Sequence, residues 1–398
     1  MSTANKPRFG ISRTVFTLGV VSLLTDISSE GIYPLIPLFL VNVLHAQVTA
    51  VGLIEGVAES TASILRIFSG WFSDVLGSRK WITAAGYTLS TASKPFFAIS
   101  TSWHQVFALR FADRVGKGIR SAPRDALIAD VTPPESRGIS YGFHRAMDTV
   151  GAVTGPLLAF WLLRSFHVEY RMIFLLSAIP AVLAVLILIA FVRESPHPKK
   201  IGKERPSLRL GALDSRFKLF LLVVTVFSIG NSSDVFLILR AKSVGISPAS
   251  TLLIYVLFNS VAASLSTTAG AISDRLGRRN VILTGFLVFS AVYVGFGLAR
   301  HPLEIWGLFA FYGVYSALTA GVQKAFAADL ISPRMRGTGL GAYHTLTGVA
   351  LLPASVIAGY LWDAVSPSAP FYFGAAMALV AAMLLAAFFQ GSVTYTDT

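Results

Sequence analysis

Seven charged residues, Arg110, Asp113, Arg114, Lys117, Arg120, Arg124 and Asp125, fall within sixteen positions of one otherwise apolar run. At helical spacing Arg110, Arg114, Lys117 and Arg124 share a face. Such a stripe could hold an organic anion, carboxylate or phosphate, because guanidinium and ammonium groups select anions. If the run crosses a bilayer, each charge at its centre costs at least ~2.5–3.5 kcal/mol, so the stripe is expected to face a polar cavity and not lipid. For Arg110, Arg114 and Lys117 the competing reading is a structural ion pair with Asp113 or with an acid from another element. Arg120 and Arg124 stand nearer one end of the run and are expected to snorkel to the interface.

Acids that could pair with these cations are Asp26 and Glu30, four residues apart and on one helical face, just before Gly31, Tyr33, Pro34 and Pro37. A desolvated carboxylate holds a proton more readily and an approaching guanidinium releases it, so Asp26 or Glu30 near a moving arginine could couple proton transfer to a conformational change. The two prolines permit a bend there. Glu59 is a second candidate partner, whereas Glu55 is expected to be shallow and wet. His144 and Asp148 are again four apart and could form a proton relay or a static polar pair. His344 occupies the corresponding region of the second half of the chain, and two histidines with a carboxylate would suit a transition metal if they converged; no metal site is expected. Further polar candidates are Lys94, Asn231, Asp234, Asn259, Gln323 and Lys324. Phe236, Tyr255, Phe258 and Tyr312 would contribute shape, or plain packing.

The elements that must position these residues are set by composition. Of 398 residues 54% are hydrophobic and 13% charged, far more apolar than a soluble domain of that length. A bilayer core needs roughly 20 apolar residues per helical crossing. Runs of that kind are expected at 13–40, 48–73, 80–101, 104–129, 137–164 and 170–192, then at 217–240, 248–273, 279–299, 303–328, 336–362 and 369–391. The fold expected is an all-α integral membrane protein of twelve transmembrane helices. It would form two six-helix bundles, 1–192 and 217–398, joined by a charged, proline-bearing linker at 193–216. The net charge of +13 resides in alternate loops, which places both termini in the cytoplasm by the positive-inside rule and removes the need for a nucleic-acid partner. No cysteine is present, so disulfides, thiolate metal sites and cysteine nucleophiles are excluded. No removable leader is expected in the polar stretch before the first run.

Two motifs repeat. Gly70-Trp-Phe-Ser-Asp74-Val-Leu-Gly77-Ser-Arg79-Lys80 returns as Gly270-Ala-Ile-Ser-Asp274-Arg275-Leu-Gly277-Arg278-Arg279, and Asp130 with Arg137-Gly138 returns as Asp329 with Arg336-Gly337. Recurrence in the same order and on the same side indicates duplicated halves. The first motif resembles the signature of the major facilitator superfamily, Gly-x3-Asp-Arg-x-Gly-Arg-Arg/Lys. The second copy is complete; the first has Val75 and Ser78 in place of arginines. Arg114-Val-Gly116-Lys117-Gly118 is similar to a second family motif. Gly142, Gly151, Gly155 and Pro156 reproduce the spacing of a third, associated in that family with antiporters, although Ala159-Phe160 replaces its usual Gly-Gly.

The resemblance implies a secondary transporter of the inner membrane, working by rocking of two bundles about a central site. Its small organic solute would be exported in exchange for protons, with the organic anion reading as the alternative. It implies no enzyme and no cofactor; the partners are the solute, protons and the bilayer, and a monomer is expected. Under it, proton coupling falls to Asp26, Glu30, Arg114, His144 and Asp148, and substrate contact to Arg110, Arg114, Lys117, Glu30, Glu59, Asn231 and Asp234. Gating falls to Gly70, Asp74, Gly77, Arg79, Asp130 and Arg137, and to Gly270, Asp274, Gly277, Arg278, Asp329 and Arg336, whose ion pairs would latch the cytoplasmic helix ends.

Overall fold

The computed structural model describes residues 11–133, 136–193, 214–331 and 336–389, the side chains of 336–338 excepted. The Arg336 side chain and all but the ends of the expected linker lie outside the described residues. Among those described there are fourteen α-helices. In the first half they are α1 (Arg13–Ile32), α2 (Leu35–Asn42), α3 (Val48–Leu76), α4 (Lys80–Ile99), α5 (Trp103–Asp130), α6 (Arg137–Ser165) and α7 (Tyr170–Phe191). In the second they are α8 (Ser215–Gly230), α9 (Val235–Ser243), α10 (Pro248–Leu276), α11 (Arg278–Leu298), α12 (Pro302–Asp329), α13 (Arg336–Ala364) and α14 (Ala369–Phe388).

Among the described residues ten segments are long and apolar enough to cross a membrane, with α1 and α2 counted as one rod and α8 and α9 as another. α4, rich in Ser and Thr and carrying Lys94, and α5, with its charges, fall outside that set. Along α7 the large side chains Leu175, Ile179, Leu183 and Leu186 form an exposed stripe at helical spacing, the surface a lipid environment requires. The expected bend in the first rod is a break between α1 and α2 at Tyr33-Pro34, where proline supplies no N–H. The corresponding break between α8 and α9, at 231–234, has no proline to announce it.

The chain gathers into two compact units. Among the described residues the first comprises 11–47, 57–193 and Ser247–Val256, and the second Val48–Gly56, 214–246 and 257–389. In the first, α1 packs on α6 and α7 while α4 packs on α5 and α7. In the second, α8 packs on α13 and α14 while α11 packs on α12 and α14. The same four pairings in the same chain order are the structural counterpart of the repeated motifs.

Gly77 ends α3 in the left-handed conformation at φ 65°, and its counterpart Gly277 precedes α11 at φ 88°. A side chain in that region costs about 1–2 kcal/mol. Gly77→Ala is therefore expected to lower the stability of the first unit by about 1 kcal/mol in a thermal melt of the purified protein, with no loss expected for Gly142→Ala, which lies inside α6 and whose added Cβ would meet nothing within 4 Å.

Candidate functional site

Three charges of α5, Arg110, Asp113 and Arg114, are buried and paired inside the first unit. Asp113 receives Arg110 at 3.4 Å and Arg114 at 3.6 Å, and Arg114 also reaches Glu59 of α3 at 3.2 Å. Arg110 is 3% exposed and Arg114 6%, so these two face carboxylates of their own and a neighbouring helix. Lys117, half-buried, lies in the field of Glu59 and Glu30. Ser90 of α4 donates to Asp113, and one turn further along α4 the amine of Lys94 donates to Ser28 and Ser29 of α1 at 2.5 and 3.0 Å. Two polar links therefore meet on α4, one running through Ser90 to α5 and α3 and one through Lys94 to α1. A low-dielectric interior strengthens each of these contacts and makes each one costly to break.

A second cluster lies where α1 meets α6. Ser22 donates to Asp148, whose carboxylate is 3.6 Å from Nδ1 of His144. Nε2 of His144 is buried with no hydrogen-bond partner among the described residues. Asp26 is on the same face of α1, one turn beyond Ser22, in the field of Asp148, Glu30, Lys117 and Arg120. The glycines of the third motif permit this approach. A Cβ on Gly151 would stand 2.8 Å from that of Asp26, and one on Gly155 would stand 2.8 Å from the Gly31 nitrogen. The motif thus presses α6 against the helix that carries the acids. Gly142 makes no such contact, so its share of the motif does not serve close packing here. At the α1 break, Tyr255 donates to Glu30 at 2.9 Å, and Arg110 lies over the Tyr33 ring at 5.3 Å.

Several expectations need correcting. Arg120 does not snorkel: it is 6% exposed and stacks on Tyr87 at 4.4 Å, because it shares a helical face with Asp113 and turns toward α4. Arg124 pairs with Asp125 at 2.9 Å. Glu55 is not wet but 1% exposed, since the start of α3 is packed against α13 backbone to backbone, with Gly56 against Leu352. Sequence reasoning gave no role to Ser22, Ser28, Ser29 and Ser90, and placed Tyr255 only as shape. Serine occurs throughout these helices bonded to its own preceding turn, so its type carries no signal of a distant partner.

In the second unit Tyr312 donates to Asp234 at 2.7 Å and Asn231 donates to Tyr315 at 3.1 Å. These bonds tie the α8/α9 break to α12 amid the rings of Phe258, Phe289 and Tyr293. A cavity of about 570 Å³ opens in the first unit, walled by Phe39, Leu163, Arg164, His167, Tyr170 and Pro248, and none of the residues expected to contact substrate lines it. Among the described residues no three His, Asp or Glu side chains are grouped to hold a metal ion.

The repeated motifs close into matching ion clusters. Arg79 binds Asp74 at 3.0 Å and also Asp130 and the Ala126 carbonyl, joining the ends of α3, α4 and α5. Arg278 binds Asp274 at 3.4 Å and Asp329 at 2.5 Å, joining the ends of α10, α11 and α12. These contacts staple helices of the same unit. Arg137 is exposed at the start of α6. Gly70 would place a Cβ 3.3 Å from that of Ala122, whereas Gly270 meets nothing within 4 Å, so close helix approach explains the first glycine and not the second.

The sequence profile of the Major Facilitator Superfamily matches residues 18–239 and 219–397. The chain belongs to this superfamily. An uncharacterized MFS-type transporter of Methanocaldococcus jannaschii is 36% identical over 386 residues, covering 94% of each chain. The multidrug resistance protein MdtH of Salmonella arizonae is 23% identical, over 83% of this chain and 82% of its own. Among solved structures, a POT family transporter in complex with 5-aminolevulinic acid superposes with a TM-score of 0.83 at 13% identity, covering 96% of this chain and 97% of that one. The nucleoside transporter NupG gives a TM-score of 0.76 at 15% identity, covering 95% of this chain and 100% of that one. The facilitator fold is thereby shared, and the chain is a multi-pass membrane protein of a transporter superfamily.

Proposed function

We propose that the protein is a proton-coupled exporter of a small organic solute in the inner membrane, with twelve crossings and both termini in the cytoplasm, working by rocking of its bundles. It has no enzymatic role in this reading. The observation that carries it is the arrangement in the first unit. Acids of α1, Asp26 and Glu30, sit beside an antiporter-type helix that is packed against them through Gly151 and Gly155, and beside buried arginines that already have carboxylate partners. Protonation of an α1 acid would alter its attraction to those cations and so bias one packing of the helices over another. The likeness to MdtH, a multidrug resistance protein, supports export.

Rocking of whole bundles requires each to move as a rigid body. The Asp74-Arg79-Asp130 and Asp274-Arg278-Asp329 staples support that part of the reading and remain our candidates for the gate. The organic anion alternative draws on Arg110, Arg114 and Lys117, but the first two are committed to Asp113 and Glu59, which favours the proton reading.

The two separate in inverted vesicles holding the protein, given a panel of cationic, neutral and anionic solutes while proton flux is followed. Flux evoked by cations or neutral solutes and abolished by Glu30→Gln is the expected result. A response to anions alone, removed by Arg114→Ala, would replace it with the anion reading.

A further inference from the structure

Lys94 is 2% exposed on α4, as buried as the large aromatic side chains of the core, yet it carries an amine. Its nitrogen is held by two hydroxyls, Ser28 at 2.5 Å and Ser29 at 3.0 Å, and by no carboxylate among the described residues. A buried ammonium without a counter-ion in contact is costly, so its charged and neutral forms are closer in free energy than those of a paired cation. The groups around it make both forms chemically reasonable. Ser28 donates to the Ser177 carbonyl of α7 at 2.5 Å and so can only accept from Lys94, which an ammonium and an amine both satisfy. Ser29 is half-buried and free to reverse, accepting from the ammonium or donating to the lone pair of the amine.

The charged groups whose fields reach this amine are Asp26 from α1 and Asp113, Arg114 and Arg120 from α5; α7 presents the Ser177 carbonyl to Ser28. Asp113 keeps Arg110, Arg114 and Ser90 when Lys94 becomes neutral, so that carboxylate is not stranded.

We infer that Lys94 is a proton-carrying group of this transporter, giving up and regaining its proton through the Ser29 hydroxyl. In the release step the Nζ–H bond breaks, its electron pair remains on Nζ, and the proton passes to water beyond Ser29 while the Ser29 hydroxyl turns to donate to the amine. This rests on the exchange of protons for solute proposed above.

The test uses the full-length purified protein in weakly buffered detergent solution with a pH indicator, and a panel of ethidium, benzoate and chloramphenicol as probes. Wild type is expected to release protons when a member of the panel binds. Lys94→Gln and Lys94→Met are expected to bind the same probe without release. Lys94→Arg is the decisive variant, because a guanidinium keeps the positive charge beside Asp113 and cannot be deprotonated; it too is expected to lose the release. Ser29→Ala leaves every charge in place and is expected to slow the release without changing its extent, which keeps the test open if an arginine does not fit. Release retained in Lys94→Arg would make the ammonium a fixed charge acting on a neighbouring acid and overturn the inference, as would undiminished release in the neutral variants. If wild type releases no proton with any probe, the proton-exchange reading falls, and this inference with it.

Discussion

Asp113→Ala is expected to be the most damaging single substitution in the first unit. It leaves Arg110 and Arg114, both more than nine-tenths buried, without the carboxylate they share, and it removes the acceptor of the Ser90 hydroxyl. Breaking a buried ion pair by deleting one partner costs about 3–5 kcal/mol, and because Arg114 keeps Glu59 the lower end of that range, about 3 kcal/mol, is expected here. A drop of that size should appear as a large fall in the melting temperature of detergent-purified protein and in the yield of monodisperse material. Asp113→Asn keeps an acceptor for Ser90 and the side-chain volume but not the charge, so it should fall between the two. Equal stability of Asp113→Ala and wild type would mean that the cluster is solvated and that its pairs are not structural.

Gly155→Leu is expected to have the second-largest effect, through shape alone. The glycine lies against the backbone of α1 at Ile27 and Gly31, and backbone cannot give way as the end of a flexible side chain can. Overpacking of this kind costs about 3 kcal/mol, the upper end of the usual range, and here it would also part α6 from Asp26. The predicted outcome is loss of folded protein. Gly142→Leu, at the other end of the same motif, faces open space and should be folded at wild-type yield. Its transport rate then tells whether the first glycine of the motif serves motion and not packing.

Much of the architecture was legible in the chain because it is written in long apolar runs and in duplicated motifs. Arg79 and Arg278, each tied to the two acids of its own motif copy, follow a pattern visible by comparing positions 70–80 and 130 with 270–279 and 329. The membership of Asp26, Arg114, Glu59 and Asp148 in buried clusters also followed from their charge, since an ionised group in an apolar helix must find a partner. What the chain did not disclose was which partner. Glu30 meets Tyr255 across 225 positions, and nothing in the local pattern of either helix encodes that meeting.

Arg120 shows a different failure. Its depth along the helix suggested the interface, but its azimuth, seven residues from Asp113, turned it onto Tyr87, and azimuth decides burial once helices pack. Lys94 was visible only as a lone polar residue because its partners are serines, which are common in such helices and mark nothing by themselves. The break at 231–234 was unreadable for a similar reason: no proline stands there, and the backbone is held open by Asn231 and Asp234 bonding to tyrosines of α12.

Coupling of solute movement to proton movement in this one chain is tested most directly in liposomes that contain the purified protein and no other, with a pH-sensitive dye inside and the solute panel added outside. At least one organic solute is expected to drive protons across the membrane in the opposite direction, an imposed pH gradient to drive the same solute uphill, and both effects to vanish in Glu30→Gln. Solute uptake that proceeds at the same rate with and without a pH gradient, and moves no protons, would contradict the coupling.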